Sequence, residues 1–250
     1  MRKFLTKEPL IVSMVQAYTP ERVEELMERS RVDGAEAFGM QFCRMKAEYR
    51  TPETYKRLFG TAGDLPTYVT NYRQGENEGK SDDVLADEIV ELAEHGATLC
   101  DVIGDMFDKQ DDEMARDSAA IERQMKLIER IHATGAEVLM SSHILKFTPA
   151  ERVLEIALEQ QRRGADICKI VVGAENMAEQ IENMRIITLL KEKLDIPFLF
   201  LSSGETHILR RIGGELGCCM YLCVYEHDEL ATPVQPLVKD IKLLRGVLEK

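Results

Sequence analysis

Lys169 stands inside Asp166-Ile167-Cys168-Lys169-Ile170-Val171-Val172, a run that is otherwise apolar around the lysine. With the two-residue period of a strand, Ile167, Lys169 and Val171 share one face and Cys168, Ile170 and Val172 the other. Neither face of such a strand readily receives an ammonium ion. Desolvation favours the neutral amine, so this lysine is expected to lose its proton easily and to attack a carbonyl, forming a Schiff base. The competing reading is a lysine that reaches the rim or pairs with a buried acid.

His143 ends Val138-Leu139-Met140-Ser141-Ser142-His143, the apolar run immediately before that of Lys169. If the two runs are neighbouring parallel strands, their C-terminal ends lie side by side, and the imidazole can move protons at a carbon attached to the amine. Asp101 and Asp105 follow in the acidic segment 101–113. Together with His143, His207 or His227 they could hold a divalent cation. No HxH, HExxH or EF-hand spacing supports that, and the expectation is no metal.

These residues need a frame. Apolar runs at 10–15, 34–38, 67–71, 98–102, 137–142, 166–172, 197–202 and 220–224 lack a clean polar alternation, as parallel strands covered on both faces do. Between them lie helical patterns with marked starts: Thr19-Pro20-Glu21, Thr51-Pro52-Glu53, Thr148-Pro149-Ala150-Glu151 and Ser81-Asp82-Asp83. The last helix carries Leu237, Ile241, Leu244 and Leu248 on one stripe. Eight such units in 250 residues predict a single-domain (β/α)8 TIM barrel over 1–250, with chemistry at the C-terminal ends of the strands. No GxGxxG follows the first run, where Ser13-Met14-Val15-Gln16-Ala17 stands, so a dinucleotide fold is not expected.

Composition narrows the function classes. Hydrophobic residues are 44% and charged residues 30%, enough to bury a large core, which argues against disorder. The net charge is −12 and no sizeable basic patch offsets it, so no nucleic-acid partner is expected. The longest apolar runs, such as 196–201, are too short to span a bilayer. Residues 1–8 lack the apolar stretch of a signal peptide, and the six cysteines form no CxxC pair. A cytoplasmic enzyme with reduced cysteines is the expectation.

At this level of detail the chain resembles the type I 3-dehydroquinate dehydratases (type I dehydroquinases). Ser142-His143 with Thr148-Pro149 resembles the family's S-H-x-F-x-x-T-P block, and Gly164-Ala165-Asp166-Ile167-Cys168-Lys169 its G-A-D-x-x-K block. Lys169 then falls at the Schiff-base lysine. His207-Ile208-Leu209-Arg210-Arg211 resembles the G-x-x-S-R segment, which puts Arg211 at the arginine that grips the substrate carboxylate. Pro233-Val234-Gln235 resembles the P-G-Q lid, with Gln235 as lid glutamine and Thr232 beside it. Glu36 resembles the acid of the E-x-R motif, and Glu76 the acid after the third strand that would orient His143.

The resemblance implies a metal-independent, cofactor-free hydro-lyase. It would turn 3-dehydroquinate into 3-dehydroshikimate and water, with a small hydroxy-ketone carboxylate as its partner. It also allows a homodimer, since the family is often dimeric. The chain departs from the pattern where Phe38 and Tyr72 replace arginines, with Arg73 one residue on, and where Ala231 replaces the lid serine. Losing arginines removes charge-assisted hydrogen bonds from the substrate-holding shell. The same lysine and histidine acting on another hydroxy-ketone, as a dehydratase or class I aldolase-like lyase, is therefore the alternative. A barrel that only binds a ligand is the second alternative.

Overall fold

In the computed structural model, which describes Phe4, Thr6 and residues 8–248, eight strands alternate with eight major helices. Most of the segment 1–8, read above for its lack of a signal peptide, lies outside the described residues. The strands are β1 (Leu10–Val15), β2 (Ala37–Gln41), β3 (Thr67–Thr70), β4 (Leu99–Ile103), β5 (Glu137–His143), β6 (Ile167–Gly173), β7 (Phe198–Ser203) and β8 (Met220–Cys223). The helices are α1 (Pro20–Val32), α2 (Pro52–Ala62), α3 (Asp82–Glu94), α4 (Ser118–Ala133), α5 (Ala150–Arg162), α6 (Met177–Lys193), α7 (Leu209–Leu216) and α8 (Val238–Leu248).

All strand pairs are parallel, in the order β7-β6-β5-β4-β3-β2-β1-β8. The ring is nearly closed. At its seam β8 meets β7 through one backbone bond, Cys219 N to Phe198 O at 2.9 Å, with the Cys218 thiol 3.4 Å from the amide of Phe200. The expected (β/α)8 barrel is therefore the observed architecture.

Local chemistry explains the helix starts. Thr19, Thr51 and Ser81 accept hydrogen bonds from the amides of Arg22, Thr54 and Val84, each satisfying one orphan donor of a first turn. The fourth start differs from the sequence expectation. There Pro149 is the residue before α5 and supplies no side-chain cap, while the Thr148 hydroxyl donates to Lys146 O at 3.2 Å.

The strand residues divide into two sets by their period of two. Val12, Met14, Ala37, Tyr68, Leu99, Leu139, Ile167, Leu199, Leu201 and Leu222 pack together in the barrel interior. Ile11, Phe38, Met40, Val69, Cys100, Val102 and Met140 pack against the surrounding helices. Gly39 sits on the interior side because nothing larger fits: a Cβ there would lie 2.2 Å from Met14 Sδ and 3.3 Å from the Tyr68 ring. That space lets the full Tyr68 side chain turn inward.

β2 begins three residues later than the apolar run suggested, because 34–36 are used to leave α1. Gly34 takes φ +100, Ala35 N bonds back to Ser30 O and Glu36 N to Ile11 O. The shift matters for the site. Among the described residues no helix is long and apolar enough to cross a membrane, and all six cysteines are free.

Candidate active site

A cavity of about 540 Å³ opens at the C-terminal ends of the strands, where barrel chemistry is expected. Lys169, His143, Tyr72, Arg44, Arg210 and Gln235 are among its walls. The register fixes their levels. Ser141 on β5 pairs with Lys169 on β6, and His143 pairs with Val171 two residues further up. Lys169 therefore lies deeper than the imidazole, on the same side of the barrel.

Lys169 is only 4% exposed. Its Nζ donates to Tyr72 Oη at 2.8 Å, Tyr68 Oη at 3.0 Å and Asp101 Oδ2 at 3.2 Å. Three acceptors for three hydrogens is the arrangement of an ammonium ion, and one acceptor is a carboxylate. The expectation of an uncharged amine in an oily interior is thereby corrected: the lysine rests paired with a buried acid.

Asp101 is the hub of this cluster. It also accepts from Tyr72 Oη at 2.5 Å, from Ser141 Oγ at 2.5 Å and from Tyr68 Oη. Burial opposes its ionisation, yet the charges of Lys169 and His143 and the bonds from Ser141 and Tyr68 outweigh that. The carboxyl is held below the usual range. The two phenols respond in the opposite sense. Burial and the adjacent carboxylate push both Tyr68 and Tyr72 well above an ordinary tyrosine, so they stay protonated.

His143 is oriented from the loop after β4. Glu113 accepts from the His143 amide at 2.7 Å and lies 2.9 Å from Nδ1, which leaves Nε2 free. The loop reaches this position through left-handed backbone at Glu113 (φ 47). The Tyr72 ring stands edge-on to the imidazole, with centroids 5.4 Å apart.

Glu76, expected in the orienting role, is exposed and accepts from the amide of Ala47 at 3.3 Å, so Glu113 takes its place. Glu113→Gln is expected to lower kcat by about 10²-fold with KM nearly unchanged, the low end of what the general base that it orients, His143, contributes. Steady-state kinetics check this, with Glu113→Asp restoring part of the loss.

Arg211 is exposed on the outer side of α7, and the neighbouring Arg210 faces the cavity instead. One residue along a helix is a 100° rotation. Arg211 and Glu215, four residues apart, mark the solvent side, whereas Leu209, Arg210, Gly213 and Gly214 are buried. Arg210 Nε donates to Ser202 O at 2.7 Å and Nη2 to Ser203 Oγ at 3.0 Å. No carboxylate faces it among the described residues. Burial alone pulls its pKa down to about 10.

Glu36 lies at the opposite, N-terminal end of the barrel. It accepts from Ile11 N at 2.9 Å and Arg245 Nη1 at 2.8 Å and is absent from the cavity walls. The later start of β2 sends Gln41 to the cavity in its stead. Phe38 faces the helices, with the Arg31 guanidinium 5.3 Å from its ring, and so does not make the pocket aromatic.

Tyr72 does border the cavity. Arg73 beside it is committed to Asp82 (2.7 Å from both Nε and Nη2) and Asp105 (2.7 Å), so it does not substitute for the arginine that Tyr72 replaces. Arg44, which sequence reasoning did not single out, borders the cavity with a buried Nε that has no partner.

The segment after β8, expected from the resemblance to act as a lid, borders the cavity. Thr232 and Gln235 both line the cavity, Gln16 Nε2 reaches Thr232 Oγ1 at 3.4 Å, and His227 Nε2 lies 2.9 Å from Gln235 O. Gln235 Oε1 is buried without a hydrogen-bond partner among the described residues, as is the hydroxyl of Thr70, which also lines the cavity. Ala231, beside Thr232, packs on the interior core. The acids and histidines weighed as metal ligands are dispersed: Asp101 is bonded to Lys169, Asp105 to Arg73, and His227 to the backbone of Gln235. No metal-holding group of three such side chains occurs among the described residues.

A parallel (β/α)8 barrel that gathers an amine, an imidazole and a guanidinium around one cavity at the C-terminal ends of its strands has the layout of a (β/α)8 enzyme. The family model for type I 3-dehydroquinase matches residues 12–248, and the chain belongs to that family. A 3-dehydroquinate dehydratase of Alkaliphilus oremlandii is 32% identical over 112 residues, 44% of this chain and 43% of that one. One from Listeria monocytogenes serotype 4a is 28% identical over 93 residues, 37% of each chain. The chain thus aligns with less than half the length of these curated relatives. The crystal structure of 3-dehydroquinate dehydratase from Geobacillus kaustophilus matches in fold with a TM-score of 0.81 at 18% identity, covering 97% of this chain and 92% of that one.

Proposed function

We propose that this chain eliminates water from 3-dehydroquinate to give 3-dehydroshikimate through an imine on Lys169. One observation carries the reading: the Lys169 amine, the His143 imidazole and the unpaired Arg210 face the same cavity. The substrate carboxylate satisfies Arg210, whose charge is otherwise buried without compensation. Substrate hydroxyls satisfy the Gln235 oxygen and the Thr70 hydroxyl. Once the ketone carbon is bonded to Nζ, the iminium withdraws electrons from the neighbouring C–H bond. His143, held by Glu113, removes that proton through its free Nε2 and then protonates the departing β-hydroxyl. Gln235 and Thr232 cover the substrate from the lid.

Tyr72 in the place of a family arginine favours a second reading, in which the same groups act on a different hydroxy-ketone carboxylate. Borohydride reduction in the presence of 3-dehydroquinate, followed by peptide mass spectrometry, separates the two. A substrate-sized adduct on Lys169 is the expected result. Adducts formed only with other hydroxy-ketones would replace the substrate. Failure to trap any carbonyl compound on Lys169 would end the imine reading. The free and mostly buried cysteines are in keeping with a cytoplasmic setting.

A further inference from the structure

We propose that Tyr72 is a catalytic residue, its hydroxyl passing a proton from Lys169 Nζ to Asp101 before attack and back again as water leaves. The inference rests on imine formation at Lys169 and assigns the step that His143 does not reach. No hydrogen bond joins His143 to Lys169 among the described residues, and the imidazole stands one level higher in the barrel. Yet an amine held as an ammonium ion must lose a proton before it can attack.

The wiring for that loss is present. Nζ donates to Tyr72 Oη at 2.8 Å, and Tyr72 Oη donates to Asp101 Oδ2 at 2.5 Å. A shift of two protons along this chain leaves a neutral amine, a neutral phenol and a protonated Asp101. The direct contact from Nζ to Asp101 is longer, at 3.2 Å, beyond the usual range for a charge-assisted bond. Because the phenol is pushed far above its ordinary pKa, it never rests as phenolate and serves only as a conduit.

The amine then adds to the ketone carbon, breaking the C=O π bond, and one N–H proton moves to the alkoxide to give a neutral carbinolamine. Asp101 returns its proton through Tyr72 to the carbinolamine hydroxyl, which leaves as water while the C=N bond forms. The ammonium's three hydrogens end as one on the iminium and two on the water, and Asp101 is a carboxylate again.

Tyr68 has the same two contacts, at 3.0 Å to Nζ and onto Asp101, but it is fully buried and does not border the cavity. Among the described residues that hydrogen-bond to the amine, Tyr72 alone also borders the cavity that a substrate would enter. Tyr68 holds the amine in place, and Tyr72 moves its proton.

The test is the rate of borohydride-trapped adduct formation on Lys169 with 3-dehydroquinate. Tyr72→Phe removes one oxygen and is expected to slow trapping about 10²-fold, with substrate affinity little changed, whereas Tyr68→Phe slows it less than about 10-fold. Trapping by Tyr72→Phe at the wild-type rate would overturn the relay and leave the imine reading intact. Absence of trapping in the wild-type protein would overturn both. Should Tyr72→Phe fold poorly, 3-fluorotyrosine at position 72 keeps the hydroxyl and makes it more acidic. A changed trapping rate supports the relay, and an unchanged one refutes it.

Discussion

Lys169→Met is expected to abolish turnover and to make the protein less stable, not more. Removing an enzymic nucleophile costs roughly 10⁵–10⁶-fold in kcat. The stability effect has the less obvious sign. A lysine stranded in an apolar strand would destabilise the barrel, and methionine would relieve it. Here the ammonium neutralises Asp101, which is buried at the centre of bonds from Tyr68, Tyr72 and Ser141. Deleting one member of a buried pair leaves the other uncompensated, at a cost of about 3–5 kcal/mol.

The double variant Lys169→Met with Asp101→Asn removes both charges and should be more stable than Lys169→Met alone, because no uncompensated carboxylate is left buried. Urea unfolding measures all three proteins. Equal or greater stability of Lys169→Met would mean that the pair contributes nothing.

The pair's pH dependence has a defined sign. The folded-state pKa of Asp101 is lowered, so its contribution is fully present above the unfolded carboxylate value, about 3.9, and is lost as pH falls through the folded value. Acid unfolding of the wild type should therefore lose this contribution below about pH 4.

What could be read from the residues and what could not follow one physical division. Strand period and barrel geometry put Lys169 and His143 at one end of neighbouring strands, and both face the cavity. The segment after β8 carries Thr232 and Gln235 to the same place. The partners of these groups were harder. Asp101 stood out as a strand-four acid, but nothing in its neighbours said that it would meet an amine two strands away rather than a metal. Glu113 reaches His143 through left-handed backbone at a non-glycine residue, which leaves no pattern in a sequence.

Register errors account for the remainder. A three-residue slip in β2 moved Glu36 to the far end of the barrel, and one residue on α7 separated Arg211 from Arg210. The second could have been avoided, since the Arg211 and Glu215 spacing marks an outer helix face. Tyr68 and Tyr72 share one side of β3 and of the turn that follows it. In the sequence Tyr72 reads only as a missing arginine, and Tyr68 as an ordinary strand residue. Polar side chains gathered by different strands around one interior level are the hardest feature to see before the levels are known.

Arg210→Met is expected to raise KM for 3-dehydroquinate by about 10²-fold or more while leaving the ligand-free protein as stable as, or more stable than, the wild type. A charge-assisted contact buried at a binding site is worth about 2–5 kcal/mol. The same guanidinium is a liability without ligand. It is 6% exposed, its bonds among the described residues go only to Ser202 O and the Ser203 hydroxyl, and burial pulls its pKa down to about 10.

Because the folded pKa is lowered, the charged form is penalised by folding throughout the neutral range, and the penalty fades only as pH rises above about 10. A bound carboxylate reverses this by supplying the missing counter-charge. Substrate or product should therefore raise the melting temperature of the wild type and have much less effect on Arg210→Met. Arg211→Met supplies the contrast, since its side chain lies on the outer face of α7 and should leave KM within about twofold. A large KM effect at Arg211 with none at Arg210 would return the carboxylate to the residue first suggested by the sequence and would require α7 to turn on its axis when substrate binds.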